Sequence, residues 1–256
     1  MASTNSKVIT PLPTSWWARS VFVGGLIAAA LMVVSAFGTR FGVWSFVPGL
    51  LLLLGALVLG ALGALVGIIA LIIARRSERR ADRTTAMIGT LLCGAVLGIV
   101  LSYAIPGMKV PPIHDISTDL NDPPDYSAII VAGRGAQSNP LTRDAKLAEA
   151  QRTGYPDLHT LDSALSTEEA YRLSLAVMND LGWEVVNRKP DEGRLEAVVT
   201  SRWFGFKDDV VVRIKPGAVG GAGSIVDLRS VSRVGVGDAG ANAARINLFI
   251  RRFKSH

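Results

Sequence analysis

Residues 20–106 are almost wholly Leu, Ala, Gly, Val and Ile, and the strongest interruption is Arg75-Arg76-Ser77-Glu78-Arg79-Arg80-Ala81-Asp82-Arg83. At 1.5 Å per residue, about 20 apolar residues cross a hydrocarbon core of roughly 30 Å, so runs of this length point to membrane helices. The spacing predicts three spans, Ser20–Gly38, Val47–Ala74 and Thr85–Ile105, the last closed by Pro106-Gly107. The second exceeds what a bilayer needs and must tilt or overhang. The first link, Thr39–Phe46, holds one arginine, Arg40, among the aromatics Phe41, Trp44 and Phe46.

The charged stretch contains five arginines. Short arginine-rich loops stay on the cytoplasmic side, which sets the direction of every span. Residues 1–19 are then a cytoplasmic N-terminal segment, with Trp16 and Trp17 at headgroup level. Everything after the third span lies outside, so in a bacterium this is an inner-membrane protein with a periplasmic C-terminal domain. Small residues at Val34-Ser35-Ala36 would suit signal-peptide cleavage, but the apolar core exceeds the usual 7–15 residues and a retained span is expected. Gly63 and Gly67, and again Gly94 and Gly98, form GxxxG patterns that let helix backbones approach in lipid, and packing of the second span on the third is expected. The spans hold no Asp, Glu, Lys, Arg or His, which argues against ion or proton transport.

Charge location also decides about nucleic acid. The net charge is +6, but five of the arginines lie in the loop between the second and third spans, so no nucleic-acid partner is expected. The single cysteine, Cys93, lies in an apolar run and permits no intramolecular disulfide.

Residues 107–126 contain two Pro-Pro pairs and are expected as an extended linker. His114, Asp115, Asp119 and Asp122 within them suit an ordinary loop with Asx turns better than a metal site. Residues 127–256 form the soluble domain. Leu141–Arg152 has helix-forming composition and ends at Tyr155-Pro156; the rest of 127–165 reads as loop. Ser166-Thr-Glu-Glu169 is a capping box opening a helix with Ala170, Leu173, Val177 and Leu181 on one face, stopped by Gly182. Strands are expected at Trp183–Arg188, Arg194–Arg202, Asp208–Lys215 and Ser224–Arg233, with turns at Pro190–Gly193 and Gly217–Gly223. A last helix, starting near Asp238 as N-cap, buries Ile246, Phe249, Ile250 and Phe253. The fold class is a three-span α-helical membrane anchor plus an α+β domain, a four-stranded antiparallel sheet with two helices on one face.

Several stretches carry a resemblance: Pro111-Pro112-Ile113-His114-Asp115-Ile116-Ser117-Thr118-Asp119, Gly154-Tyr155-Pro156-Asp157-Leu158, the run from Thr200 through Trp203-Phe204-Gly205-Phe206-Lys207-Asp208-Asp209 to Arg213, and Arg229-Ser230-Val231-Ser232-Arg233. Over residues 107–256 the chain resembles the bacterial domain-of-unknown-function family numbered fourteen ninety-nine. That family has no established activity, so the resemblance supports domain limits and adds no catalytic residue.

Gly235, Gly237 and Gly240 match GxGxxG between a strand and a helix. A dinucleotide fold needs a parallel strand after that helix and an acidic residue about 20 positions on, so a plain strand-to-helix turn is expected. Free N–H groups there could bind an anion, but Asp238 would compete for them. No G-x-S-x-G, CxxC or HExxH occurs, and neither cofactor nor metal is expected. Asp208 and Asp209, as neighbours on a strand, point to opposite faces. The polar sheet face gathers Arg194, Arg202, Arg213, Lys215, Arg229 and Arg233 with Glu196, Asp209 and Asp227. It is either a solvated face of cross-strand ion pairs or a cationic platform for an anionic ligand, a lipid headgroup or an acidic protein surface. Trp203, Phe204 and Phe206, beside Arg202 and Lys207, either fold onto the core or form an exposed lip. Together these features point to a non-enzymatic interaction or ligand-binding domain, an accessory subunit of a membrane complex. The alternative is a periplasmic hydrolase acting on envelope material through carboxylates.

Overall fold

The computed structural model describes residues 14–75, 80–217 and 223–256, in two units, 1–102 and 103–256. Arg76 and Arg79 of the arginine-rich loop, the first part of the N-terminal segment and most of the Gly217–Gly223 turn lie outside the described residues.

Three helices, α1 (Trp16–Arg40), α2 (Phe46–Ala74) and α3 (Arg80–Gly107), are each long and apolar enough to cross a membrane. Their packing is the kind that apolar surroundings favour. Small residues face inward (Ala18, Gly25, Ala28, Ala36, Ala56, Gly60, Gly67, Ala86, Gly89 and Cys93), while Leu51, Leu62, Leu65, Ile73 and Leu91 point out. Lipid tails are as apolar as leucine, so helices gain by close backbone approach through small residues. A β-carbon on Gly25 would stand 2.8 Å from the Gly89 carbonyl oxygen, and one on Gly67 2.0 Å from Thr90 Oγ1. Asp82, in the first turn of α3, is buried and accepts the Ser15 N–H at 2.7 Å just ahead of α1, an acceptor at the positive end of a helix dipole.

In the second unit the sheet has six strands, not four. They are β1 (Asp115–Ser117), β2 (Leu161–Ser163), β3 (Glu184–Lys189), β4 (Arg194–Thr200), β5 (Lys207–Pro216) and β6 (Ser224–Ser232), all paired antiparallel. The order is β1-β6-β5-β4-β3, and β2 also pairs with β6, along Ser224–Val226, while β1 uses Arg229–Val231. At three residues each, β1 and β2 are too short for a period-of-two pattern to show. Only β6, whose free edge they cover, reveals them; covered edges are how sheets avoid aggregation. The stretch expected as a linker therefore supplies a strand.

Two helices cover one sheet face, α6 (Thr167–Asp180) and α7 (Ala241–Lys254); two shorter helices, α4 (Ala128–Ala132) and α5 (Ala145–Gly154), precede them. The capping box at the start of α6 is formed in both directions, Ser166 with Glu169. Val177, Met178, Ile246, Phe249 and Phe253 bury against Leu195, Ala197, Val210, Val212, Ile214, Val226 and Leu228, and Trp183 stacks on Phe249 at 5.7 Å. The period-of-two alternation puts Asp209, Arg213, Asp227 and Arg229 on the other face. That face is not solvated: the chain from Thr118 to Arg143 lies across it, bonded to its charges. Residues 127–165, which read from sequence as loop around one helix, carry α4, α5 and β2.

Candidate functional site

The charged sheet face carries a network of ion pairs, buried around Asp115, Arg229 and Asp209 and open to solvent at Lys215 and Asp122. Arg229 on β6 meets Asp115 on β1 in a two-pronged bond, Nε to Oδ1 at 3.1 Å and Nη2 to Oδ2 at 2.8 Å, with side-chain exposures of 3% and 1%. Arg143 donates to the same Asp115 carboxylate and to Gln151 Oε1 at 2.8 Å. The Tyr126 ring lies under Arg229, 5.3 Å from its Cζ, and its hydroxyl donates to the Asp209 carbonyl at 2.9 Å. Asp209 receives Arg233, Nη2 to Oδ1 at 2.7 Å, and Arg134 from the covering segment. Arg213 bonds Asp227 at 2.9 Å, Asp122 at 3.0 Å and Asp119 at 3.3 Å, while Lys215 reaches Asp122 at 2.9 Å.

Titration follows from this enclosure. Burial pushes the Tyr126 hydroxyl well above its ordinary value, and the Asp115 charge adds to the shift. Burial lowers the Arg143 guanidinium. For Arg229 burial pulls the same way, but the Asp115 bonds outweigh it and the net shift is upward. A guanidinium leaving water for such a site needs its carboxylate and remaining acceptors close, and the network supplies both.

Glu196 sits apart on the same face, fully buried, its carboxylate accepting the Ser127 N–H at 2.6 Å, the Ser127 hydroxyl and Asn187 Nδ2 at 2.7 Å. Asp208, one residue from Asp209, points to the helix face and bonds Arg245 of α7. The two carboxylates diverge, each held by arginine, as expected of strand neighbours. Asp119 closes an Asx turn by accepting the N–H groups of Asn121 and Asp122 at 2.9 and 3.0 Å.

The GxGxxG stretch is a strand-to-helix turn. Gly235 and Gly240 take φ of +92° and +84°, and a β-carbon on Gly237 would stand 2.9 Å from the Pro112 α-carbon. Asp238 lies two residues ahead of the Gly240 N-cap and accepts the N–H groups of Gly240 at 2.8 Å and Asn242 at 2.6 Å. β6 is antiparallel to every neighbour, unlike the parallel βαβ unit of a dinucleotide fold.

The β4–β5 turn is built differently. Ser201 N donates to the Phe206 carbonyl at 2.7 Å, Ser201 Oγ accepts the Phe206 N–H at 2.9 Å, and Gly205 takes φ of +70°. Phe204 and Phe206 stack at 5.2 Å and stay outside the core cluster. Arg202, Trp203 and Lys207 are exposed, Trp203 by 52%. Of the residues singled out in the sequence, Arg213, Arg229 and Arg233 are thus each ion-paired on one sheet face, and Arg202, Trp203, Phe204, Phe206 and Lys207 form a separate turn.

Among the glycine pairs, Gly63 and Gly67 face α3, against Cys93 Sγ and Thr90, whereas β-carbons on Gly94 and Gly98 would meet nothing within 4 Å. Sequence reasoning missed Gly25 and Gly89, which have no GxxxG partner, and missed Tyr126, Arg134 and Arg143. Arginines alternating on a strand demand acceptors, which points to Asp115, Asp119 and Asp122; no local signal points to Arg134 and Arg143, which are further donors to Asp209 and Asp115.

No curated protein matches the chain. A family model described as "Protein of unknown function (DUF1499)" matches residues 115–253. The match starts on the first residue of β1 and ends on Phe253 in α7, so it takes in the whole sheet, the covering layer and the network between them. The chain belongs to that family.

Proposed function

We propose that this chain is a membrane-anchored, non-enzymatic interaction module, with its N-terminus in the cytoplasm and its α+β domain on the outer side, in a bacterium the periplasm. The exposed turn Arg202–Lys207 is its contact surface. The observation that carries this reading is the consumption of the sheet's charges: Arg213, Arg229 and Arg233 are bonded by Asp115, Asp119, Asp122, Asp209 and Asp227. They hold the domain together and are not offered to a ligand. Trp203, flanked by Arg202 and Lys207, is 52% exposed. Three helices apolar enough to span a membrane support the anchor, and the arginine content of the second link supports the direction.

The test replaces Trp203 in cells by a photoreactive benzophenone residue, with the exposed Glu168 position as control. Adducts formed at 203 and absent at 168 are expected, and a protein adduct of discrete mass would make the chain an accessory subunit of a membrane complex. An unmodified chain at both positions would overturn the reading. A compartment reporter fused after His256 should respond only outside the cytoplasm; a response inside would overturn the direction.

A further inference from the structure

We infer that the Arg202–Lys207 turn, together with Val236, docks on the anionic surface of a lipid bilayer. This rests on the reading of that turn as the contact surface and names what it touches. The sheet register carries the argument. Asp115, Val231, Asp209, Val198 and Glu184 form one row across β1, β6, β5, β4 and β3. Beyond that row, at the same end of the sheet, lie the start of β1, the β4–β5 turn and the loop from β6 to α7. Backbone bonds tie them side by side: Ser232 N to the His114 carbonyl at 2.8 Å, Arg233 N to the Lys207 carbonyl at 2.9 Å and Asp238 N to the Ile113 carbonyl at 3.2 Å.

That end is also where the chain arrives from α3, which ends at Gly107. The few residues from Gly107 to Asp115 span at most about 28 Å when fully extended. The β4–β5 turn is two to three strand spacings from β1, about 10–14 Å. A sheet end tethered so closely to an apolar span is held at high effective concentration near the lipid surface.

The chemistry of that end suits lipid. Trp203 is 52% exposed and Val236 is 81% exposed. Both sit on constrained backbone, with Gly205 at φ +70°, Gly235 at φ +92° and the Val236 carbonyl 3.2 Å from His114 Nδ1. An indole with an apolar body and a polar N–H belongs at headgroup level, and Arg202 and Lys207 beside it complement phosphate charge.

The full chain is reconstituted in phosphatidylcholine vesicles with and without phosphatidylglycerol, part of the lipid carrying brominated acyl chains. Subtracting the emission of Trp203→Phe from that of the native chain isolates Trp203. The difference emission should be quenched by brominated lipid, about two-fold more strongly with phosphatidylglycerol present, and Arg202→Glu with Lys207→Glu should remove that gain while the circular dichroism is unchanged. Difference emission quenched by aqueous iodide and untouched by brominated lipid would overturn the inference. If that result accompanies a protein adduct at position 203 in cells, lipid docking falls and the interaction reading stands; if no adduct forms either, both fall.

Discussion

Arg229 and Asp115 meet diagonally across the β6–β1 pair with two parallel bonds of 3.1 and 2.8 Å, both side chains nearly sealed from water. The carboxylate comes from the Pro-rich stretch that leaves the third apolar helix, the guanidinium from the longest-range strand partner in the sheet. This pair makes that stretch part of the domain rather than a tether to it.

Asp115→Ala should therefore be among the most damaging single changes. It leaves Arg229 and Arg143 buried without their carboxylate, a loss of about 3–5 kcal/mol. The near-UV circular dichroism melt of the detergent-solubilised chain should shift down by roughly 10 °C. Asp115→Asn, which keeps an acceptor, should fall between. A melt unchanged by Asp115→Ala would show that the pair is not formed.

Glu196 makes a local prediction. Its carboxylate holds the Ser127 N–H and hydroxyl and Asn187, so it pins the covering segment to the sheet. Glu196→Ala removes charge-assisted bonds worth about 1.5–3 kcal/mol in total. Limited proteolysis should then cut near residues 124–135 well before the sheet unfolds. Cleavage that starts elsewhere at an unchanged rate would contradict this.

The helix glycines should separate sharply. Gly63→Ile and Gly67→Leu would drive side chains into Cys93 and Thr90, at a cost of about 1–3 kcal/mol each from overpacking. Gly94→Ile and Gly98→Ile enter open space and should leave the helical melt in detergent within about 0.5 kcal/mol of native. Equal damage from both pairs would mean that the second motif also packs.

Asp238 predicts a pH dependence. Burial raises its carboxyl above 3.8, against the lowering effect of the Asn242 and Gly240 N–H bonds. A raised folded value means that the folded state holds the proton more tightly. The contribution is thus fully present below about pH 3.8 and is lost as pH rises through the folded value. The melt of Asp238→Asn should be flatter than that of the native chain across this window; an unchanged slope would assign the dependence elsewhere.

Much of this was legible from local patterns. The capping box at Ser166–Glu169, the alternation of Val210, Val212 and Ile214 with Asp209 and Arg213, and the turn at Pro190–Gly193 are local, and each appears where the pattern put it. Asp208 and Asp209 diverge because adjacent strand residues must. The β1 and β2 strands were not legible, since three residues show no period. Nor was the fate of the sheet arginines, because the carboxylates of Asp122, Asp119 and Asp115 reach Arg213 and Arg229 from 91 to 114 residues away.

By itself the sequence determined what depends on neighbours along the chain: three apolar helices, their arginine-rich second link, and four long strands with two amphipathic helices. Only the tertiary structure decided that the charged sheet face is an interior and that one glycine pair of two faces a helix. It alone brought Trp203 to the sheet end where the chain arrives from α3. Local periodicity tells which way a side chain points, but what it meets there is set by segments distant in sequence, and burial of a charge depends on whether those segments bring its counter-charge.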